Sequence, residues 1–116
     1  MDERERILKD NQNEYLELAE QAFRSAKYNS AVTLFFKAIG AGADLFILRK
    51  EGAVPSSHTN RFRVAQEKYP ELYDILDKDF PFYQDSYTKR MTKEAAEVLR
   101  EDARRIEKMA ETGKTG

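Results

Sequence analysis

A chain of 116 residues has room for one domain of ordinary size and none for a separate cofactor domain. An apolar fraction of 41% implies a buried core, while 20 basic against 21 acidic side chains exclude a uniformly basic surface for nucleic acid. The lack of cysteine excludes disulfides, thiolate metal sites and cysteine nucleophiles, and the single histidine, His58, excludes any site built on two imidazoles.

The N-terminal residues Met1-Asp2-Glu3-Arg4-Glu5-Arg6 are charged and lead into no apolar stretch of the signal-peptide kind, so a cytoplasmic location is expected. Residues 2–12 offer only Ile7 and Leu8 to a core, so 1–12 reads as a charged segment or frayed helix ahead of a domain over 13–112. From residue 13 to 26, Tyr15, Leu18, Ala19, Ala22, Phe23 and Ala26 recur at helical spacing, with Glu14, Glu17, Glu20, Gln21 and Arg24 on the other face.

Asn29 and Ser30 are good N-cap residues, and Gly52 follows the basic pair Arg49 and Lys50, which predicts a second helix over about 30–51. Leu34, Phe35, Phe36, Ile39, Leu45, Phe46, Ile47 and Leu48 cover more than one of its faces, as a central helix with several neighbours requires. Lys37 and Asp44 interrupt the apolar run below the ~18 residues a bilayer span needs, so no membrane association is expected.

Ser57 then caps a short third helix carrying Phe62, Ala65 and Tyr69, and Pro70 stops it and opens a fourth with Leu72, Tyr73, Ile75 and Leu76. The run Asp79-Phe80-Pro81-Phe82-Tyr83 breaks that pattern and reads as an aromatic connection. Thr92 caps a last helix over 93–111, where Ala96, Leu99, Ala103, Ile106 and Ala110 step by three and four along a thin seam of small side chains. Gly113 ends it, leaving 113–116 as an expected disordered tail. The expected fold is all-α: an antiparallel, up-and-down bundle of three long helices plus one or two short ones, with no strands.

Phosphate loops, zinc-protease helices, calcium loops and nucleophile elbows are absent by spacing, so neither metal nor cofactor is expected. The flat patch Gly40-Ala41-Gly42 suits close packing, within the chain or across a dimer, or a ligand lying over it. Lys37 and Asp44 lie two turns, ~10 Å, apart on one face of the second helix. They mark either a solvated face or a polar cleft.

His58 sits among Ser56, Ser57, Thr59, Arg61 and Arg63, inside a stretch, 31–70, whose net charge is +3. That cluster is either a helix cap with a surface histidine or an anion site at a helix N-terminus. Tyr83, Tyr87, Lys89 and Arg90 share one predicted loop, and such tyrosines either stack on bases or cover the end of a core.

As a whole the pattern resembles the HEPN (higher eukaryotes and prokaryotes nucleotide-binding) superfamily, particularly its small single-domain archaeal and bacterial members. The resemblance covers about 15–110 and is carried by Leu18-Ala19-Glu20-Gln21-Ala22-Phe23, then Tyr28-Asn29-Ser30-Ala31-Val32, then Leu34-Phe35-Phe36-Lys37-Ala38, with Pro55-Ser56-Ser57-His58 following. It implies a helical bundle, commonly a homodimer, often paired with a minimal nucleotidyltransferase in toxin-antitoxin systems.

Many members of that family are metal-independent ribonucleases in which an Arg is followed, after four to six intervening residues, by a His. The positions that would supply it here are Glu51, Gly52 and Ala53, and Arg49 lies too far upstream. The family's second loop is matched by Phe82-Tyr83-Gln84-Asp85-Ser86-Tyr87 without its Arg or His. The expected function is therefore a non-catalytic binding module for a nucleotidyltransferase-type protein or a nucleotide, with Lys37, Asp44, His58, Arg61, Arg63, Tyr83 and Tyr87 as ligand-binding residues. The alternatives are a degenerate ribonuclease that cleaves single-stranded RNA with His58 and Arg61 or Arg63, and a structural subunit of a larger assembly.

Overall fold

The structure, a computed structural model, describes residues 2–112; the expected tail at 113–116 lies outside them. Those residues form five helices and no strand: α1 (Glu3–Arg24), α2 (Tyr28–Glu51), α3 (His58–Lys68), α4 (Pro70–Asp85) and α5 (Lys93–Thr112).

The N-terminal segment is not a separate piece. Asp2 accepts from the Glu5 amide at 2.9 Å, Glu3 and Glu5 complement the positive end of the helix, and α1 runs unbroken through residue 12. What the apolar count misses is that Leu8 packs on the core and that Gln12 is fully buried.

The turn into α2 places Ala26 in the left-handed region at φ 57°, and the Lys27 amide returns to the Ala22 carbonyl at 2.8 Å. The helix begins at Tyr28, two residues earlier than expected, and Asn29 does not cap it. Its amide instead donates to the carbonyls of Ser86 (2.9 Å) and Lys89 (2.7 Å) and its oxygen accepts from the Met91 amide (2.9 Å), which pins the connection between α4 and α5.

The centre of the protein is α2, in which Ala31, Val32, Phe35, Ile39, Ala43 and Leu45 are completely enclosed. Each large apolar side chain buried in this way contributes about 1.5–3 kcal/mol relative to exposure. By length and hydropathy α2 could cross a membrane, but 78% of its most apolar stretch is covered by the rest of the protein. Gly52, at φ 79°, ends it by donating to the Leu48 carbonyl at 2.8 Å.

Around α2 pack α1, α4 and α5, and α3 lies against α4. Phe23 meets Tyr28 at the turn, and Glu5 meets Arg49 at 3.5 Å at the far ends of α1 and α2. The seam of α5 is buried as expected, and Arg49 donates to the Ala110 carbonyl at 2.7 Å. Gly42 is the closest approach: a Cβ there would stand 2.6 Å from Ile106 Cγ2 and against the Gln12 amide.

The aromatic run at 79–83 is helical and not a connection. Pro81 lies inside α4, which continues to Asp85, so Phe80 and Tyr83 share a helix face and Tyr83 is not in a loop. A proline ring deprives the helix of one N–H and costs several kcal/mol in isolation. Here the same turns carry buried Leu76 and Asp79 and the partly buried rings of Phe80, Phe82 and Tyr83, whose packing offsets that cost.

Three substitutions test the backbone arguments by thermal melts. Gly42→Ala is expected to lose about 1 kcal/mol, because overpacking of ~1–3 kcal/mol exceeds the ~1 kcal/mol gained in helix propensity. Gly40→Ala meets only the Arg61 guanidinium, at 3.4 Å, and is expected to keep wild-type stability. Ala26→Gly is expected to raise stability by about 0.5–1 kcal/mol by relieving the left-handed alanine.

Candidate functional site

Helical spacing gathers one set of residues at the junction of α1, α2, α3 and α4. On α2, Lys37, Gly40, Ala41 and Asp44 fall on consecutive turns of one face; on α1, Leu8, Asn11 and Tyr15 do the same. His58 and Arg61 come from the first turn of α3 and Tyr83 from α4, closing a cleft of about 270 Å3.

The anchor of the cleft is Asp44. Its carboxylate accepts Arg61 Nε at 2.7 Å and Nη2 at 2.9 Å, a two-pronged pair in which the side chains are only 11% and 18% exposed. The Arg61 guanidinium lies over Gly40, where a Cβ would stand in ordinary contact with it at 3.4 Å. Lys37 and Asp44 therefore do not answer each other; the partner of Asp44 comes from another helix.

Arg61 also donates from Nη1 to His58 Nδ1 at 3.3 Å, which leaves the imidazole proton on Nε2. Burial and the adjacent Arg61 cation hold the His58 pKa below the usual histidine value, opposed by Asp44, so the ring is neutral at pH 7. Phe62 and Phe80 each lie 4.6 Å from it, centroid to centroid, and Phe36 lies at 6.4 Å.

The Ser57 hydroxyl beside His58 is engaged in capping the helix. Ser57 caps α3 through the Asn60 amide at 3.0 Å, and Asn60 Oδ1 accepts from the Ser56 amide at 3.0 Å. Ser57 and Asn60 thus form the capping cluster that is one of the two readings of this stretch, and the His58 and Arg61 side chains line the cleft.

At the opposite rim Tyr83 stacks on Phe36 at 4.8 Å with 22° between planes, and Lys37 Nζ lies 5.8 Å from the Tyr83 ring centre. Lys37 is exposed and forms no ion pair with the described residues. Tyr87 stays outside the cleft, 66% exposed, with its hydroxyl donating to that of Tyr83 at 2.8 Å. Arg63 is exposed and does not line the cleft, and Lys89 pairs with Asp85 at 3.4 Å.

Of the seven residues expected to bind ligand, five line this cleft and two, Arg63 and Tyr87, do not. Sequence reasoning missed Asn11 and the aromatic cage of Phe36, Phe62 and Phe80. The signal for Asn11 was present in its spacing from Leu8 and Tyr15, once α1 is continued towards the N-terminus. Among the described residues no group of three His, Asp or Glu side chains is placed to hold a metal.

The cleft therefore offers one unpaired ammonium, a neutral imidazole, a paired guanidinium and a stacked tyrosine, a setting for a flat ring beside a negative charge. Compared with known proteins, the chain matches no family, no curated protein and no solved structure.

The Asp44 pair is expected to carry stability as well as shape. Arg61→Met leaves a largely buried carboxylate without its cation and should cost about 2 kcal/mol, below the 3–5 kcal/mol of fully buried pairs because the cleft admits water. Denaturant titration of Arg61→Met, Asp44→Leu and the double variant should show the double change costing less than the two single changes together.

Proposed function

We propose that this protein is a HEPN-like, non-catalytic binding module with an up-and-down antiparallel helical arrangement, whose cleft takes a nucleotide. The observation that carries the reading is Lys37: an ammonium with no carboxylate partner among the described residues, set over the face of Tyr83 beside His58 and Arg61. A base stacked at Tyr83 would bring its phosphate to Lys37, and the neutral His58 would donate from Nε2. Asp44 positions Arg61 and does not itself meet the anion.

Homodimer formation and engagement of a nucleotidyltransferase-type partner belong to the same reading, as does a cytoplasmic location. Their support is the resemblance of the Leu34-Phe35-Phe36-Lys37-Ala38 helix, together with the exposed apolar side chains of Ile7 and Leu18 on α1.

A second reading, a degenerate ribonuclease, is favoured by one contact, His58 to Arg61. Proton transfer would need the imidazole close to a cation that stabilises phosphoryl charge, and those two groups are adjacent. Against it, Arg61 is already neutralised by Asp44. Cleavage of single-stranded RNA that persists in His58→Ala would remove this reading.

The experiment for the first reading is calorimetry with AMP and ATP on wild type, Lys37→Ala and Tyr83→Ala. Binding to the wild type, weakened about tenfold (~1.4 kcal/mol) by either change with the fold intact, is expected. Absence of heat and of thermal shift with millimolar nucleotide would overturn it.

A further inference from the structure

We propose that Asp79 and Asp102 form a proton-held latch between α4 and α5, so that the α4 wall of the cleft is secured only while the pair retains its shared proton.

Asp79 is fully buried on α4, and neither of its oxygens meets an N–H or O–H donor among the described residues. The polar group it faces is the Asp102 carboxyl of α5, itself 3% exposed. Two carboxylates are both acceptors and repel, whereas one proton between them turns the contact into a hydrogen bond. A buried Asp with no donor otherwise carries the full cost of desolvation.

The cations nearby do not replace that proton. Lys78 on α4 lies 2.9 Å from Asp102, but its side chain is 51% exposed and it pairs with Asp102 and not Asp79. Arg105 on α5 stands 3.5 Å from Asp102 and is shared with Glu71 of α4 at 3.6 Å. The charged groups acting on Asp79 are Asp102, Lys78 and Arg105, all from α4 and α5; the charged residues that α2 brings to the cleft, Lys37 and Asp44, are not among them.

Burial, with the Asp102 carboxylate second, pushes the Asp79 carboxyl up to about 8, opposed by Lys78 and Arg105. An unfolded Asp titrates near 3.9, so between about pH 4 and 8 the folded chain holds a proton that the unfolded chain has released. The sign follows: the contribution is greatest below pH 4 and is lost as pH rises towards 8.

Loss of the proton strains the contact of α4 with α5. Phe80 follows Asp79 directly and covers His58, and Tyr83, one turn on, stacks on Phe36. Opening of α4 therefore uncovers the imidazole and dismantles the tyrosine side of the cleft. This consequence follows from the geometry of the wall and not from the ligand the cleft takes.

The test is carried out on the full chain without ligand. Carbon-detected NMR of the Asp carboxyls should show Asp79 protonated through neutral pH. Hydrogen exchange of α4 amides, corrected for intrinsic rate, should report opening that increases from pH 6 to 9. The unfolding constant should rise about tenfold per pH unit from this group between pH 5 and 8, and Asp79→Asn should abolish that slope and raise the melting temperature at pH 8. Asn mimics the protonated acid, so an Asp79→Asn chain that fails to fold counts against the latch. Asp102→Asn gives Asp79 an amide donor and should move its titration down. Asp79 ionising below pH 5, or an unchanged pH slope in Asp79→Asn, would overturn the proposal.

Discussion

The molecule depends on the need to enclose a helix that is apolar on nearly every side. From Ala31 to Leu48 almost every side chain of α2 is removed from water, so its neighbours must cover it completely. One carboxylate, Asp44, lies in that buried middle, and a buried charge must be met by an opposite charge held in good geometry. Arg61 meets it with two hydrogen bonds, and that demand sets where α3 docks.

The properties of the cleft follow from this pairing. Because Arg61 is committed to Asp44, its remaining N–H reaches His58 and keeps the imidazole neutral in one tautomer. Phe36, Phe62 and Phe80 then enclose the ring and add to its desolvation. Lys37, two turns before Asp44 on the same face and without a carboxylate partner among the described residues, is left as the unpaired cation of the cleft. The cleft thus has a local excess of one positive charge inside a protein that is nearly neutral overall.

The fold contains two solutions to a buried carboxyl. Asp44 is met by the Arg61 guanidinium in a two-pronged hydrogen-bonded pair laid over Gly40. Asp79 faces a second acid and no donor, so a proton does what a cation does for Asp44. The Glu20 carboxylate shows the first solution again: Arg100 at 2.8 Å and Arg104 at 3.3 Å converge on one oxygen and hold its pKa below the usual value against the opposing effect of burial. Glu20, with its pKa lowered, and Asp79, with its pKa raised, respond to pH in opposite directions.

Much of the helical content could be read from the chain because it rests on local chemistry. The caps at Ser57 and Thr92, the stop at Gly52, the boundary at Pro70 and the small-residue seam of α5 depend on neighbours a few residues apart, and each is where sequence places it. Reading failed where distant packing outweighed local preference. Residues 3–12 are helical although poor in apolar groups, because Leu8 and Gln12 find cover on α2; Pro81 is tolerated in α4 because the surrounding aromatic packing holds the turn; Asn29 is drawn from a cap to a loop sixty residues away. At the site, sequence determined which side chains were chemically available: Lys37, Asp44, His58, Arg61 and Tyr83. Their grouping, the exclusion of Arg63 and Tyr87, and the facing of Asp79 by Asp102 were decided by tertiary structure alone, since these pairings join helices across separations that no local spacing encodes.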